Sequence, residues 1–188
     1  MARSRHNLRS SIMVVVMLLL ITSTWLWSSQ SPPGAYAISC GTNCENVTNT
    51  PTVTTMLNGS DQTLSYTLAF SLNNTAGLGW NVTITSTQFT TGTTPTRTLP
   101  TNISAITGVT AVCSAGQTCT TMPTNTVVYP VSVPAGNPAP TPIKFYNAAS
   151  ATGVGTFDIS TATNVTIPAN AYAGTYKSTI TLAYVSGP

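Results

Sequence analysis

From residue 61 onward the chain alternates apolar and polar side chains with a period of two. Residues 62–72 place Leu64, Tyr66, Leu68, Phe70 and Leu72 on every second position, and residues 80–89 set Trp80, Val82 and Ile84 against Asn81, Thr83 and Thr85. Residues 127–133, 155–159, 164–167 and 175–185 repeat the theme. Such a period turns one face of an extended segment inward and the other outward, the pattern of a half-buried strand. No stretch after residue 37 has apolar residues at helical spacing. Turn formers separate the runs: Asn73-Asn74, Ala76-Gly77, Gly92, Pro95, the 135–138 segment and Gly153. The expected fold is therefore all-β, a single Ig-like antiparallel β-sandwich. Pro123, Pro130 and Pro134 bracket residues 127–133, and proline cannot donate to a ladder, so that run reads as an edge strand. Residues 134–142 read as a polyproline-like loop. Residues 175–185, long and scarcely interrupted, read as a closing strand inside a sheet.

The first sixty residues are organised differently. Arg3, Arg5, His6 and Arg9 open the chain without an acidic residue, an apolar run follows at 12–21, and a polar stretch ends in Ala35-Tyr36-Ala37. These are the three parts of a secretory signal peptide. The apolar run is short of the roughly 20 residues a bilayer span needs. The expected organisation is a signal peptide at 1–37 cleaved after Ala37, a Thr/Asn-rich lead-in at 38–60, and the sandwich at 61–188. The product is a secreted protein whose contact with a membrane ends with the signal peptide.

Loss of that leader removes the net charge. Arg97, Lys144 and Lys177 then face Glu45, Asp61 and Asp158, with no basic patch to hold nucleic acid or an anionic membrane. Thirty-five threonines among residues 38–188 suit a pleated surface and replace charge as the source of solubility. Cys40, Cys44, Cys113 and Cys119 are an even set in an exported chain, so two disulfides are expected. Three connectivities are open, and the local one, Cys40–Cys44 with Cys113–Cys119, is favoured by the short small-residue spacers; each such bridge stabilises by about 2 kcal/mol. Zinc would need all four thiolates to converge without tight C-x2-C spacing, so neither metal nor cofactor is expected. No His follows residue 6, which excludes Ser–His and Cys–His catalysis, and the three acids lie in separate segments rather than as a facing pair. The inventory argues against an enzyme.

Residues 78–92 (LGWNVTITSTQFTTG), followed by Leu99-Pro100 and an Ile/Val-rich strand, resemble the first block of WxL-domain proteins, secreted surface proteins of Gram-positive bacteria. Residues 167–188 (IPANAYAGTYKSTITLAYVSGP) are similar to that family's C-terminal block, and the two blocks together span most of residues 61–188. The resemblance implies a β-sandwich, export, and non-covalent attachment to peptidoglycan or another cell-wall polymer, with other surface proteins as possible companions. The first motif keeps its Trp as Trp80 with Val82 in the Leu position; in the second, Leu182 and Tyr184 occupy the two motif positions. The candidate binding residues are thus Trp80, Val82, Tyr172, Leu182 and Tyr184. Trp80 shares an apolar face with Val82 and Ile84, which reads either as a core anchor or as a platform for a sugar ring. Tyr184 shares a face with Ile180 and Leu182, whereas Tyr172 sits in a small-residue loop and is the better candidate for exposure. Residues 174–182 also resemble the closing strand of coat- and fimbria-type sandwich subunits. That resemblance implies a second role, a structural subunit of a spore-coat, pilus or fibre assembly joined by β-strand addition through the extended N-terminal segment.

Overall fold

The strongest alternating runs become the central strands of two sheets. The computed structural model describes residues 34–40, 44, 45, 47 and 51–187. The side chains of residues 34–40 and of Glu45 lie outside this description, as do residues 1–33 and with them most of the expected leader. There are eleven strands among the described residues: β1 (Gly34–Cys40), β2 (Cys44–Glu45), β3 (Thr52–Val53), β4 (Gln62–Asn74), β5 (Trp80–Thr87), β6 (Ser104–Cys113), β7 (Val131–Ser132), β8 (Ala135–Gly136), β9 (Ile143–Ala148), β10 (Gly155–Ile167) and β11 (Lys177–Ser186). One sheet runs β3-β1-β11-β5, with β9 and β8 sharing the far side of β5; the other runs β2-β4-β10-β6-β7. The fold is all-β, two antiparallel-rich sheets forming a sandwich. Parallel pairing enters at two places, β1 on β11 and β8 on β5.

Alternation builds the core directly. Along β4 the inward residues Leu68, Phe70 and Leu72 are buried, and along β10 Phe157, Ile159, Val165 and Ile167 face the same interior. From the other sheet come Trp80, Val82, Ile84, Phe145, Ile180 and Leu182. Phe70 and Phe145 meet edge to face with centroids 6.5 Å apart, joining β4 to β9. Burial of such side chains, at about 1.5–3 kcal/mol each, is the main force holding the sheets together.

Several elements differ from the sequence reading, each for a physical reason. The runs at 155–159 and 164–167 are one strand, β10. The gap between them is bridged because Thr161 and Thr163, both buried, hydrogen-bond each other at 3.0 Å, while the Leu68 N–H donates to Thr161 Oγ1 at 3.2 Å. The edge strand expected at 127–133 shrinks to β7, Val131–Ser132. Upstream of it the chain lies beside β9 through amide side chains in place of a ladder. The Thr126 N–H donates to Asn147 Oδ1 (2.9 Å), the Asn147 N–H to Asn125 Oδ1 (3.2 Å), and the Tyr129 hydroxyl to the Phe145 carbonyl (2.8 Å). The 134–142 loop also contributes a strand: Ser86 N–H donates to the Pro134 carbonyl and Gln88 N–H to Gly136, forming β8. The lead-in contributes short strands as well: among its described residues 38–40, 44–45 and 52–53 are paired, β1 with β11, β2 with β4 and β3 with β1. β1 runs across the expected cleavage point at Ala37, with Ala37 opposite Thr179.

Both local cysteine pairs were expected to be bridged. Cys113 and Cys119 are bonded to each other, with Cα atoms 5.9 Å apart. Cys44 is also disulfide-bonded, while the side chain of Cys40 lies outside the described residues.

Candidate functional site

Four of the five residues singled out from sequence are brought together: Trp80, Val82 and Leu182 in the core, and Tyr184 partly buried against it. Tyr184 lies opposite Val82 and Leu182 opposite Ile84 in the β11–β5 ladder. Trp80, Val82 and Leu182 have no more than 1% of their surface exposed. The Trp80 indole N–H donates to the Gly153 carbonyl at 2.9 Å, and its ring packs against Tyr146 (5.6 Å) and Tyr184 (6.5 Å). Asn74 completes the arrangement: its Nδ2 donates to the same Gly153 carbonyl, and its Oδ1 accepts from the Tyr184 hydroxyl. Gly153 has φ +66° and lies so close that a Cβ there would stand 2.6 Å from Trp80 Nε1. A side chain enclosed in this way cannot stack on a ligand from where it sits. The buried Tyr146 phenol is pushed up to about 12, first by desolvation and then by the neighbouring Tyr129.

Tyr172 is placed elsewhere, with 58% of its surface exposed. It belongs to the loop that follows β10, which Pro168 releases from the ladder. Asp61 Oδ1 accepts from the Ala169 N–H (2.8 Å), Ala171 N–H turns back to Pro168, and the Tyr176 hydroxyl donates to the Tyr172 carbonyl (3.0 Å). Burial raises the Tyr176 phenol, with the charge of Arg97 pulling the other way.

The opposing wall is the loop after β5. There Thr90 bridges both Thr98 and Lys177, and Gln88 Nε2 donates to the Leu99 carbonyl at 2.7 Å. Between the two loops lies an open cleft of about 370 Å³, lined among others by Gln88, Leu99, Pro100, Pro168, Asn170 and Tyr172. Arg97 stands beside it with its guanidinium carbon 3.8 Å from the centre of the Tyr172 ring. An aromatic ring, two carboxamides and proline edges are groups that pack against sugar faces and hydrogen-bond hydroxyls. Sequence reasoning found Tyr172 here but missed Arg97, Gln88 and Asn170. Arg97 is one of six charged residues after position 37, a signal that identifies it as unusual without saying what it faces.

A second, more polar recess of about 440 Å³ lies over the other sheet. In it Asp158 Oδ1 accepts from Ser71 (2.8 Å) and Ser114 (2.7 Å), next to the Cys113–Cys119 bridge. Among the described residues it has no aromatic lining.

The class defined by these features is an all-β sandwich with an aromatic-bearing surface cleft. Compared with known proteins, the chain matches no family model, and no characterised sequence or solved structure is significantly similar to it.

Proposed function

We propose that this is an exported, non-enzymatic surface protein that associates non-covalently with peptidoglycan or another cell-wall polymer through the Tyr172 cleft. The observation that carries this reading is the exposure of Tyr172, more than half of its surface, in a cleft with Gln88 and Asn170. Export and the WxL-like blocks supply the context. The contact residue of the reading is Tyr172; Trp80, Val82, Leu182 and Tyr184 do not line the cleft and belong to the packing toward the start of β5 and the end of β11. Co-sedimentation of the purified protein with isolated sacculi is the test. The protein is expected to pellet, and Tyr172→Ala to stay in the supernatant while melting like the parent. Failure of the parent to pellet would remove the reading.

One observation favours a second role, a structural subunit joined by strand addition. β1 lies parallel on β11 from Ala35↔Lys177 to Cys40↔Leu182, and β1's other neighbour pairs with only its first two residues. A strand laid along a sheet margin with so little pairing on its outer side is of the kind that a neighbouring copy can supply. Concentration-dependent polymers in light scattering would support this role, and a strictly monomeric protein at all concentrations would exclude it.

A further inference from the structure

We infer that the cleft takes an anionic glycan, with Arg97 reading its carboxylate or phosphate group and Tyr172 holding the guanidinium in place; this rests on the wall-polymer reading. Arg97 is fixed at both ends. Its backbone N–H donates to Thr91 Oγ1 (3.0 Å) and its carbonyl accepts from the Thr91 N–H (3.0 Å), which locks the Cα at the foot of the hairpin. Its guanidinium lies over the Tyr172 ring, and Tyr172 is itself tied through its carbonyl to Tyr176.

A guanidinium stacked on a ring spends its face and leaves its in-plane N–H fork available. Among the described residues no carboxylate meets that fork. Asp61 Oδ1 is bonded to the Ala169 N–H, and Asp158 Oδ1 to Ser71 and Ser114 in the other recess. A planar fork held still and without an acidic partner is suited to bidentate capture of a carboxylate or phosphate. The surroundings decide what else the ligand must be. The cleft is at the low end of small-ligand pocket volumes, about 300–1,000 Å³, and is lined by amides and proline edges, with Arg97 outside the lining itself and adjoining it across the Tyr172 ring. That combination fits a short stretch of sugar bearing one negative group per contact. Nucleic acid would require several cations along one face, whereas Arg97, Lys144 and Lys177 are the only cations after residue 37.

Three polymers separate the possibilities: a neutral glucan, a polyuronate and a polyol-phosphate polymer, each titrated against the purified protein at low salt. The expected result is binding of an acidic polymer about tenfold or more tighter than the neutral one. The polyuronate and polyol-phosphate arms show which anion is preferred. Arg97→Gln is expected to abolish the preference for the acidic polymer, with an unchanged melting temperature as the check that the fold is intact. Arg97→Lys, which keeps the charge and loses the planar fork, should recover only part of it. Equal affinity of the parent for neutral and acidic polymers, with sacculi still bound, overturns the role of Arg97 and leaves the wall reading standing. Undiminished acidic preference in Arg97→Gln does the same. Binding to none of the polymers and none of the sacculi overturns both.

Discussion

At the residue scale the most informative position is Trp80. Its placement inside the sandwich follows from the face it shares with Val82 and Ile84, a relation visible in the alternation itself. What the alternation could not show is the partner of its indole N–H, the Gly153 carbonyl, 73 positions away. Trp80→Phe removes that donor and part of the ring, and is expected to cost about 1–3 kcal/mol in chemical denaturation. Gly153→Ala should cost at least as much, because φ is +66° and the new methyl would meet the indole and Ala148. Ser104 gives the opposite expectation. Its buried hydroxyl has no hydrogen-bond partner among the described residues, so Ser104→Ala should be neutral or stabilising by up to about 1 kcal/mol. Tyr146 sets the response to alkali. Its folded pKa of about 12 exceeds the unfolded 10.0, so the folded state retains the proton longer. Its contribution is complete below pH 10 and is lost between pH 10 and 12, at up to about 1.4 kcal/mol per pH unit. Equilibrium unfolding followed across that window, with Tyr146→Phe as the flatter reference, measures it.

At the scale of elements, legibility tracked how cleanly each strand buries one face. β4 and β11 do so, and both were read within a few residues of their ends. β9 (Ile143–Ala148) was not read, because its sequence IKFYNA has no alternation. The register shifts opposite Val82 and Thr83, and Phe145 and Tyr146, neighbours in sequence, are both buried. β10 was read as two pieces because a pair of buried threonines looks polar in sequence, yet is satisfied by mutual hydrogen bonding in place. The segment beside β9 makes the dependence on side chains testable. Asn147→Ala leaves the Thr126 N–H without its acceptor, and is expected to destabilise by about 1–3 kcal/mol. Hydrogen exchange should quicken first around residues 124–129, and uniform protection there would contradict the account.

For the molecule as a whole, the edges matter most. β11 is central only because β1 covers its outer side, and β1 spans the expected cleavage point. A chain beginning at Ile38 keeps Ile38–Cys40 opposite Ile180–Leu182 and loses the partners of Lys177, Ser178 and Thr179. An edge partly uncovered in this way is a template for pairing with other strands. The expected outcome is that the Ile38 form melts lower and self-associates more than a form beginning at Gly34. Light scattering and thermal melts on the two forms check it, and identical behaviour would mean that residues 34–37 add nothing to the sheet.

The sequence by itself determined the all-β class, the inward faces of the long strands and the closing role of β11, and it favoured the local Cys113–Cys119 bridge that the structure shows. Each of these depends on side-chain periodicity or on residues a few positions apart. Only the tertiary structure decided which strands are neighbours, that the N-terminal segment belongs to both sheets, and that Arg97 lies on the ring of Tyr172. Those facts arise from long-range packing. Sheet pairing is chosen by how two buried faces fit together, and many pairings satisfy the same alternation. A cleft between two loops inherits its residues from that choice, so it cannot be read before the sheets are assembled.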